Sequence, residues 1–315
     1  MKKLTTLLAV IFLVPASLWA QLKVTFVNVG QGDAIYIELP NGKNALIDGG
    51  PSGSIIDSFL KAKGVTKIDY VALTHPHSDH YKGLKKVFTN YQVNNYYDTR
   101  AENVDAAGDN NLRQLAQVEP GCTTFYPKPG DMLNWDPDVT VKVFNACWEP
   151  VQIHENDEAN NCSLVVKLSY NNNAVLLTGD ANTATEQEML SHFSTGLRAN
   201  ILKVGHHGSR TSTSDAFLAR VRPDFAFISV GIGNKYGHPH QEALDRLRNA
   251  GAKIYMTTDG GKSITIPAPG HGTAPVVSQD PFVGPGGKCV WDPAELKDMT
   301  TPALEQLKDQ LSAVK

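Results

Sequence analysis

The sequence predicts an α/β chain in which two sheets are stacked between outer layers of helix. Three observations carry that reading. Strand-like runs alternate with amphipathic helical runs, a hairpin opens each half, and the second half repeats the layout of the first. Sheets of this kind bury one face on each other and need helices to cover the other.

The first half begins with Lys23–Val29, where apolar and polar residues alternate as in a half-buried strand. After the Gly30-Gln31-Gly32 turn comes Ala34–Leu39, and Asn41-Gly42 signals a hairpin before Ala45–Ile47. Ser54–Lys63 reads as a helix, with Ile55, Ile56, Phe59 and Leu60 on one face and Gly64 beyond its end. Tyr70–Leu73 is a short apolar strand, and Gly83–Phe88 opens a second helix. Residues 98–121 are polar and weakly patterned, which predicts a surface insertion.

The second half starts with Leu164–Leu168 and Ala174–Leu177 around the turn Asn171-Asn172-Asn173. Thr183-x-x-Glu186 has the spacing of a capping box opening a helix through Phe193. Ser212-x-x-Asp215 predicts another, burying Phe217, Leu218 and Val221. Gln241–Ala250 is a third, stopped by Gly251 at a position suited to left-handed backbone. Residues 268–290 are rich in proline and glycine and read as a linker. Thr301-Pro302 then starts a short helix with Leu304, Leu307 and Leu311 on one side.

Composition bounds the function. The 315 residues are 41% hydrophobic, enough to bury a substantial core. Net charge is −3, with no basic surplus of the kind that grips long nucleic acid through its phosphates. A nucleic-acid substrate would therefore be short, or held through local groups. At the N-terminus, Lys2 and Lys3 precede the apolar run Leu4–Val14, with Ala16 and Ala20 behind it. That predicts an export signal over residues 1–20, although Leu18 is a poor fit to the cleavage pattern. The run falls short of the roughly 20 residues a membrane span requires, so a periplasmic or secreted protein with no stable anchor is expected. Cys122, Cys147, Cys162 and Cys289 permit two disulfides. Cys122 with Cys147 is the favoured pair, and Cys162 is read as a structural residue at a strand start.

The densest chemistry is Thr74-His75-Pro76-His77-Ser78-Asp79-His80, directly behind Tyr70–Leu73. Imidazole and carboxylate are the donors that zinc and related transition metals prefer, and a loop at a strand end can aim several at one point. Further carboxylates and imidazoles close other apolar runs: Asp48 after Ala45–Ile47, Asp180 after Val175–Leu177, and His206-His207 after Ile201–Val204.

These four motifs, in this order over residues 22–267, resemble the signature of the metallo-β-lactamase superfamily. Gly30-Gln31-Gly32-Asp33, Asn161-x-Ser163, His206-His207-Gly208-Ser209 and Asn234-x-Tyr236-Gly237-His238-Pro239 are similar to the soluble hydrolase domain of ComEC-like competence proteins. The resemblance implies a four-layer αββα sandwich spanning residues 21–267, with residues 268–315 as linker and tail. It implies two divalent metal ions, zinc or alternatively manganese, that activate a bridging water for hydrolysis. His75 and His77 would hold the first, Asp79, His80 and His206 the second, with Asp180 bridging and Asp48 orienting the ligands from behind. His207, Ser209 and Asn234 are assigned to substrate, Asp79 and Asp48 to catalysis, and His238 to proton donation.

One departure from the family pattern stands out. The histidine usually supplied before the strand at Leu164 is replaced by Asn160-Asn161-Cys162-Ser163. An Asn161 oxygen, a Cys162 thiolate or water would fill that position, and His154 lies too far upstream. The expected activity is hydrolysis of a phosphodiester or nucleic acid. An acyl hydrolase for a lactam, lactone or thioester is the alternative, and a metal-containing binding module that turns nothing over is a third.

Overall fold

The structure is a computed structural model that describes residues 21–103, 108, 110–154, 156–193 and 195–285. The expected export signal, Cys289 and the helix expected from Thr301 lie outside the described residues.

The elements follow in chain order: β1 (Leu22–Phe26), β2 (Ile35–Glu38), β3 (Asn44–Ile47), α1 (Gly53–Ala62), β4 (Lys67–Ala72), α2 (Ser78–Asn90), β5 (Gln92–Tyr97), β6 (Ala101–Asn103), α3 (Asn110–Val118), β7 (Thr123–Phe125) and β8 (Met132–Leu133). After these come β9 (Thr140–Asn145), β10 (Val151–Ile153), α4 (Asn156–Asn161), β11 (Val165–Tyr170), β12 (Asn173–Leu177), α5 (Thr183–His192), β13 (Ile201–Lys203), α6 (Asp215–Val221), β14 (Phe225–Ile228), α7 (Gln241–Asn249), β15 (Lys253–Met256), β16 (Lys262–Ile266) and β17 (Val276–Gln279). Among the described residues the strands form an eight-stranded sheet, β17-β16-β1-β2-β3-β4-β5-β7, and a seven-stranded one, β15-β14-β13-β12-β11-β9-β8.

Period-2 alternation explains the layers. On β1–β3 the residues Leu22, Val24, Phe26, Ile35, Ile37, Ala45 and Ile47 face a shared core with Val175, Leu177, Ile201 and Phe227 of the second sheet. Their neighbours Tyr36 and Leu46 turn outward onto Ile56, Phe59, Leu60, Leu84 and Val87 of α1 and α2. Leu176, Leu202 and Ala226 turn outward onto Met189, Phe217, Leu218 and Leu247 of α5, α6 and α7. The result is the expected αββα sandwich. Phe26 and Phe227 stack across its middle with ring centroids 4.3 Å apart.

Several local expectations differ from what forms. The second helix begins at Ser78, inside the histidine-rich loop, with His77 as its N-cap residue and Asp79 in its first turn. A carboxylate is favoured there by the helix dipole, which polar sequence alone did not reveal. The cap of α5 is Asn182, whose side chain accepts from the amides of Ala184 and Thr185. Glu186 does not reach back to that cap; it accepts from the amides of Thr213 and Ser214 instead. Ser214 caps α6, while the Ser212 hydroxyl donates to the Gly205 carbonyl. The 98–121 stretch contributes β6, parallel to β10, and α3, which buries Leu112 and Ala116. Within the expected linker, β17 pairs antiparallel with β16 and satisfies an otherwise bare sheet edge.

The disulfide joins Cys147 to Cys162, not Cys122 to Cys147. Pairing of β9 with β11 sets Asn145 opposite Val165, so the residues flanking those strands meet. Cys122 packs against the helices outside the other sheet and is a free thiol. Among the described residues no helix is long and apolar enough to cross a membrane.

Candidate metal centre

Four strand ends of the two sheets converge at one edge of the sandwich. From β3 comes Asp48, whose backbone is left-handed (φ 59°) and whose side chain is fully buried. Its carboxylate accepts from the Thr74 amide (2.8 Å), the Thr74 hydroxyl (2.7 Å) and His80 Nδ1 (2.7 Å). The Thr74 hydroxyl, having donated to Asp48, lies 3.0 Å from His75 Nδ1 and accepts from it. On the other side of the site, His207 Nδ1 donates to the Ser229 carbonyl at 2.8 Å. The network thus assigns the tautomers: Nδ1 of His75, His80 and His207 is a donor, and each Nε2 presents its lone pair inward.

Those three nitrogens face one atom. Asp180 Oδ2 lies 3.8 Å from His75 Nε2, 3.4 Å from His80 Nε2 and 3.2 Å from His207 Nε2. His77 Nδ1 sits 2.8 Å from His75 Nε2, and Asp79 Oδ2 lies 3.6 Å from His207 Nε2. Two groups able to hold a cation result: His75, His77 and Asp180, and beside it Asp79, His80 and His207. His80 Nε2 and His207 Nε2 are buried with no hydrogen-bond partner, which native interiors tolerate only where something else satisfies the atom. The donor set, imidazole and carboxylate, suits zinc or manganese. The residues present fit a pair of divalent ions.

The electrostatics agree. Burial drives the Asp180 carboxyl up, but His207 and His80 more than offset it and hold it well below the usual carboxylate range. Burial lowers His207, yet Asp180 and Asp79 raise it to about 10. His80 is raised likewise by Asp180 and Asp48, against its burial. His75 is pushed well down by burial and by His80 and His77. The carboxylates therefore demand positive charge at the inward nitrogens, a demand that a proton or a metal ion meets.

His75, His77, Asp79, His80 and Asp180 are brought together as the sequence predicts. His206 is not. His207, expected to touch substrate, joins the cluster in its place, because both residues adopt left-handed backbone (φ 46° and 52°) and the tight turn aims the second ring at Asp180. His206 stands beside the cluster, its ring 5.3 Å from that of His238. Two other residues assigned to substrate have partners within their own loops. The Ser209 hydroxyl is buried in the turn on Thr211 (3.0 Å). Asn234 spends its amide on its own loop, donating to the Gly231 and His238 carbonyls and accepting from the Tyr236 and His238 amides. His238 lies at the rim, lowered to about 4 by burial and by neighbouring His206 and His207. That shift favours the neutral imidazole over the imidazolium assigned to proton donation.

In the stretch that lacks the usual histidine, Cys162 is tied up with Cys147 and offers no thiolate. The Asn161 side-chain oxygen accepts from Thr185, and its carbonyl from Asn145. His154 is exposed. Asn160 is buried, and its side-chain oxygen has no hydrogen-bond partner.

The family description "metallo-beta-lactamase superfamily" matches residues 27–232, most of the described chain and all of the cluster residues from Asp48 to His207. The chain belongs to the metallo-β-lactamase superfamily. Within it, the chain is 29% identical over 275 residues to ComE operon protein 3 of Bacillus subtilis (strain 168), covering 81% of this chain and 34% of that one. It is 28% identical over 244 residues to competence protein ComA of Neisseria gonorrhoeae, covering 76% and 31%. Recombination protein 2 of Haemophilus influenzae is 29% identical over 247 residues, covering 76% and 28%. The chain spans about a third of the length of these relatives. The metallo-β-lactamase fold protein YhfI of Bacillus subtilis shares the fold at a TM-score of 0.50 and 14% identity, covering 76% of this chain and 98% of that one.

This metallo-β-lactamase centre includes two residues that sequence reasoning left without a role. Asp33, after β1, and Lys203, at the end of β13, are buried and form an ion pair of 2.5 Å. A lysine as the only charge in the apolar run Ile201–Val204 was the available signal, since lysine is almost never fully buried unless paired.

Proposed function

We propose that the chain is an exported, metal-dependent phosphodiesterase acting on nucleic acid or a smaller phosphodiester. One observation supports this reading above others: Asp180, which belongs to one cation-holding group with His75 and His77, also stands 3.4 Å from His80 Nε2 and 3.2 Å from His207 Nε2 of the neighbouring group. Paired sites of that kind suit in-line displacement at phosphorus. His75, His77 and Asp180 would hold one divalent ion, and Asp79, His80, His207 and Asp180 the other. Such ions supply an activated water and neutralise charge on the phosphoryl oxygens.

The chain's own residues do the rest. Asp48 fixes the rotamer and tautomer of His80 directly, and that of His75 through Thr74. The Ser229 carbonyl does the same for His207. Outer hydrogen bonds of this sort typically change metal affinity or activity by about 10- to 100-fold. His206 and His238, both lowered by burial, present neutral imidazoles beside the cluster that can bond a phosphoryl oxygen or a leaving group. The names of the similar proteins, competence and recombination, favour nucleic acid as the substrate class. Export is favoured by the N-terminal segment and by the Cys147–Cys162 disulfide, a bond at home in oxidising compartments.

Turnover of bis-aryl phosphate, a lactam and a thioester by the Mn²⁺- or Zn²⁺-loaded chain tests the reading. Phosphodiester cleavage is expected, disappearing in Asp79→Ala and after chelation. Cleavage of the lactam or thioester alone would reassign the chain to acyl hydrolysis, and bound metal with no turnover would remove the enzyme.

A further inference from the structure

We propose that Lys203 is a positioning residue of the metal centre: clamped by Asp33, its ammonium holds the Asp180 carboxylate turned with Oδ2 toward the histidines that would hold the metal ions. The two oxygens of Asp180 have unlike surroundings. Oδ2 faces the Nε2 atoms of His75, His80 and His207 at 3.8, 3.4 and 3.2 Å. Oδ1 has no hydrogen-bond partner, and the charge facing it is Lys203 Nζ at 3.7 Å. Swinging the carboxylate to offer both oxygens to the cluster would take Oδ1 from that positive charge.

The ammonium is well placed to act as a fixed stop. Lys203 is 0% exposed, and its Nζ lies 2.5 Å from Asp33 Oδ2 and donates to the Gly179 carbonyl at 3.0 Å. Gly179 immediately precedes Asp180, so one side chain braces both the backbone and the carboxylate of the bridging residue. The same lysine has a second effect. Asp33 belongs to two further groups with cation-holding geometry, one with Asp180 and His207 and one with Asp48 and His80. With Lys203 on Asp33, the protein's own cation occupies that position. The centre is thereby confined to two metal ions, and Asp33 is kept from competing with Asp180.

This role rests on the reading that two divalent ions bind here, and its test separates the two. Mn²⁺ is titrated into the full chain, with affinity read by calorimetry and the environment of the pair by electron paramagnetic resonance. The wild type is expected to bind two Mn²⁺ with an exchange-coupled spectrum. Lys203→Met is expected to weaken the second Mn²⁺ by roughly 10- to 100-fold, the range for losing an outer partner, and to alter the coupled spectrum. The double variant Asp33→Leu/Lys203→Met guards against a folding defect, because replacing a whole buried ion pair by apolar groups is often neutral. It is expected to show the same loss and the same spectral change. Wild-type Mn²⁺ affinities and an unchanged spectrum in the double variant would overturn the role of Lys203 alone. A wild type that takes up no Mn²⁺ would overturn the metal centre with it.

Discussion

At position 207 the imidazole is held on Nδ1 by the Ser229 carbonyl and faces the Asp180 carboxylate, 3.2 Å from Nε2. At position 206 the ring has neither, and its Nδ1 is buried without a hydrogen-bond partner. The two substitutions should therefore separate. His207→Ala is expected to lose one metal equivalent and to cost more than the roughly 10- to 100-fold typical of an outer partner. His206→Ala is expected to keep the full metal content while lowering turnover. Elemental analysis after dialysis reads the first property, and phosphodiester kinetics the second. Equal metal loss in both would show that the turn does not discriminate between them. The sequence could not make this distinction, because consecutive residues diverge by an angle that only the left-handed turn defines. Residues whose geometry follows from a regular strand end or helix start, such as Asp48, Asp79 and Asp180, were legible. Lys203 was visible as an anomaly without its partner, which is 170 residues away in sequence.

Among the elements, α2 is positioned by close backbone approach. A Cβ on Gly83 would stand 1.8 Å from the Gly49 carbonyl oxygen, and Gly49 and Gly83 donate to the His80 and Gly50 carbonyls across the same contact. Because the helix cannot give way without dragging Asp79 and His80, Gly83→Ala is expected to lose about 1–3 kcal/mol. Urea unfolding of the variant measures it, and an unchanged midpoint would mean that the contact is loose. Strands were the readable elements: β1 alternates apolar with polar residues, and β2, β3 and β12 are short apolar runs set off by turn residues. The first turn of α2 was not readable. Its residues are chosen for ligation, so the apolar period of a helix starts only at Leu84.

For the whole molecule, stability rests on the layer between the sheets, where Phe26 and Phe227 stack and Leu22, Ile37 and Ile47 are among the largest fully buried side chains. Phe227→Ala empties space that neither sheet can collapse into freely and is expected to cost about 3–5 kcal/mol. The loss should appear in thermal unfolding of the metal-free chain as well as the loaded one, because the ring is remote from the ligands in role. A loss seen only in the loaded form would place Phe227 in the centre instead. The four-layer architecture was legible because it follows from which faces are apolar. The disulfide and β17 were not, since each depends on which distant segments the sheets bring side by side.

The outermost strands of the two sheets are brief: β17 has four residues, β7 three, β15 four and β8 two. A stray extended peptide seeking main-chain partners would find only a few rungs before the ladder ran out. Crowded alongside its own copies, such a protein has little backbone to lend to fibre growth.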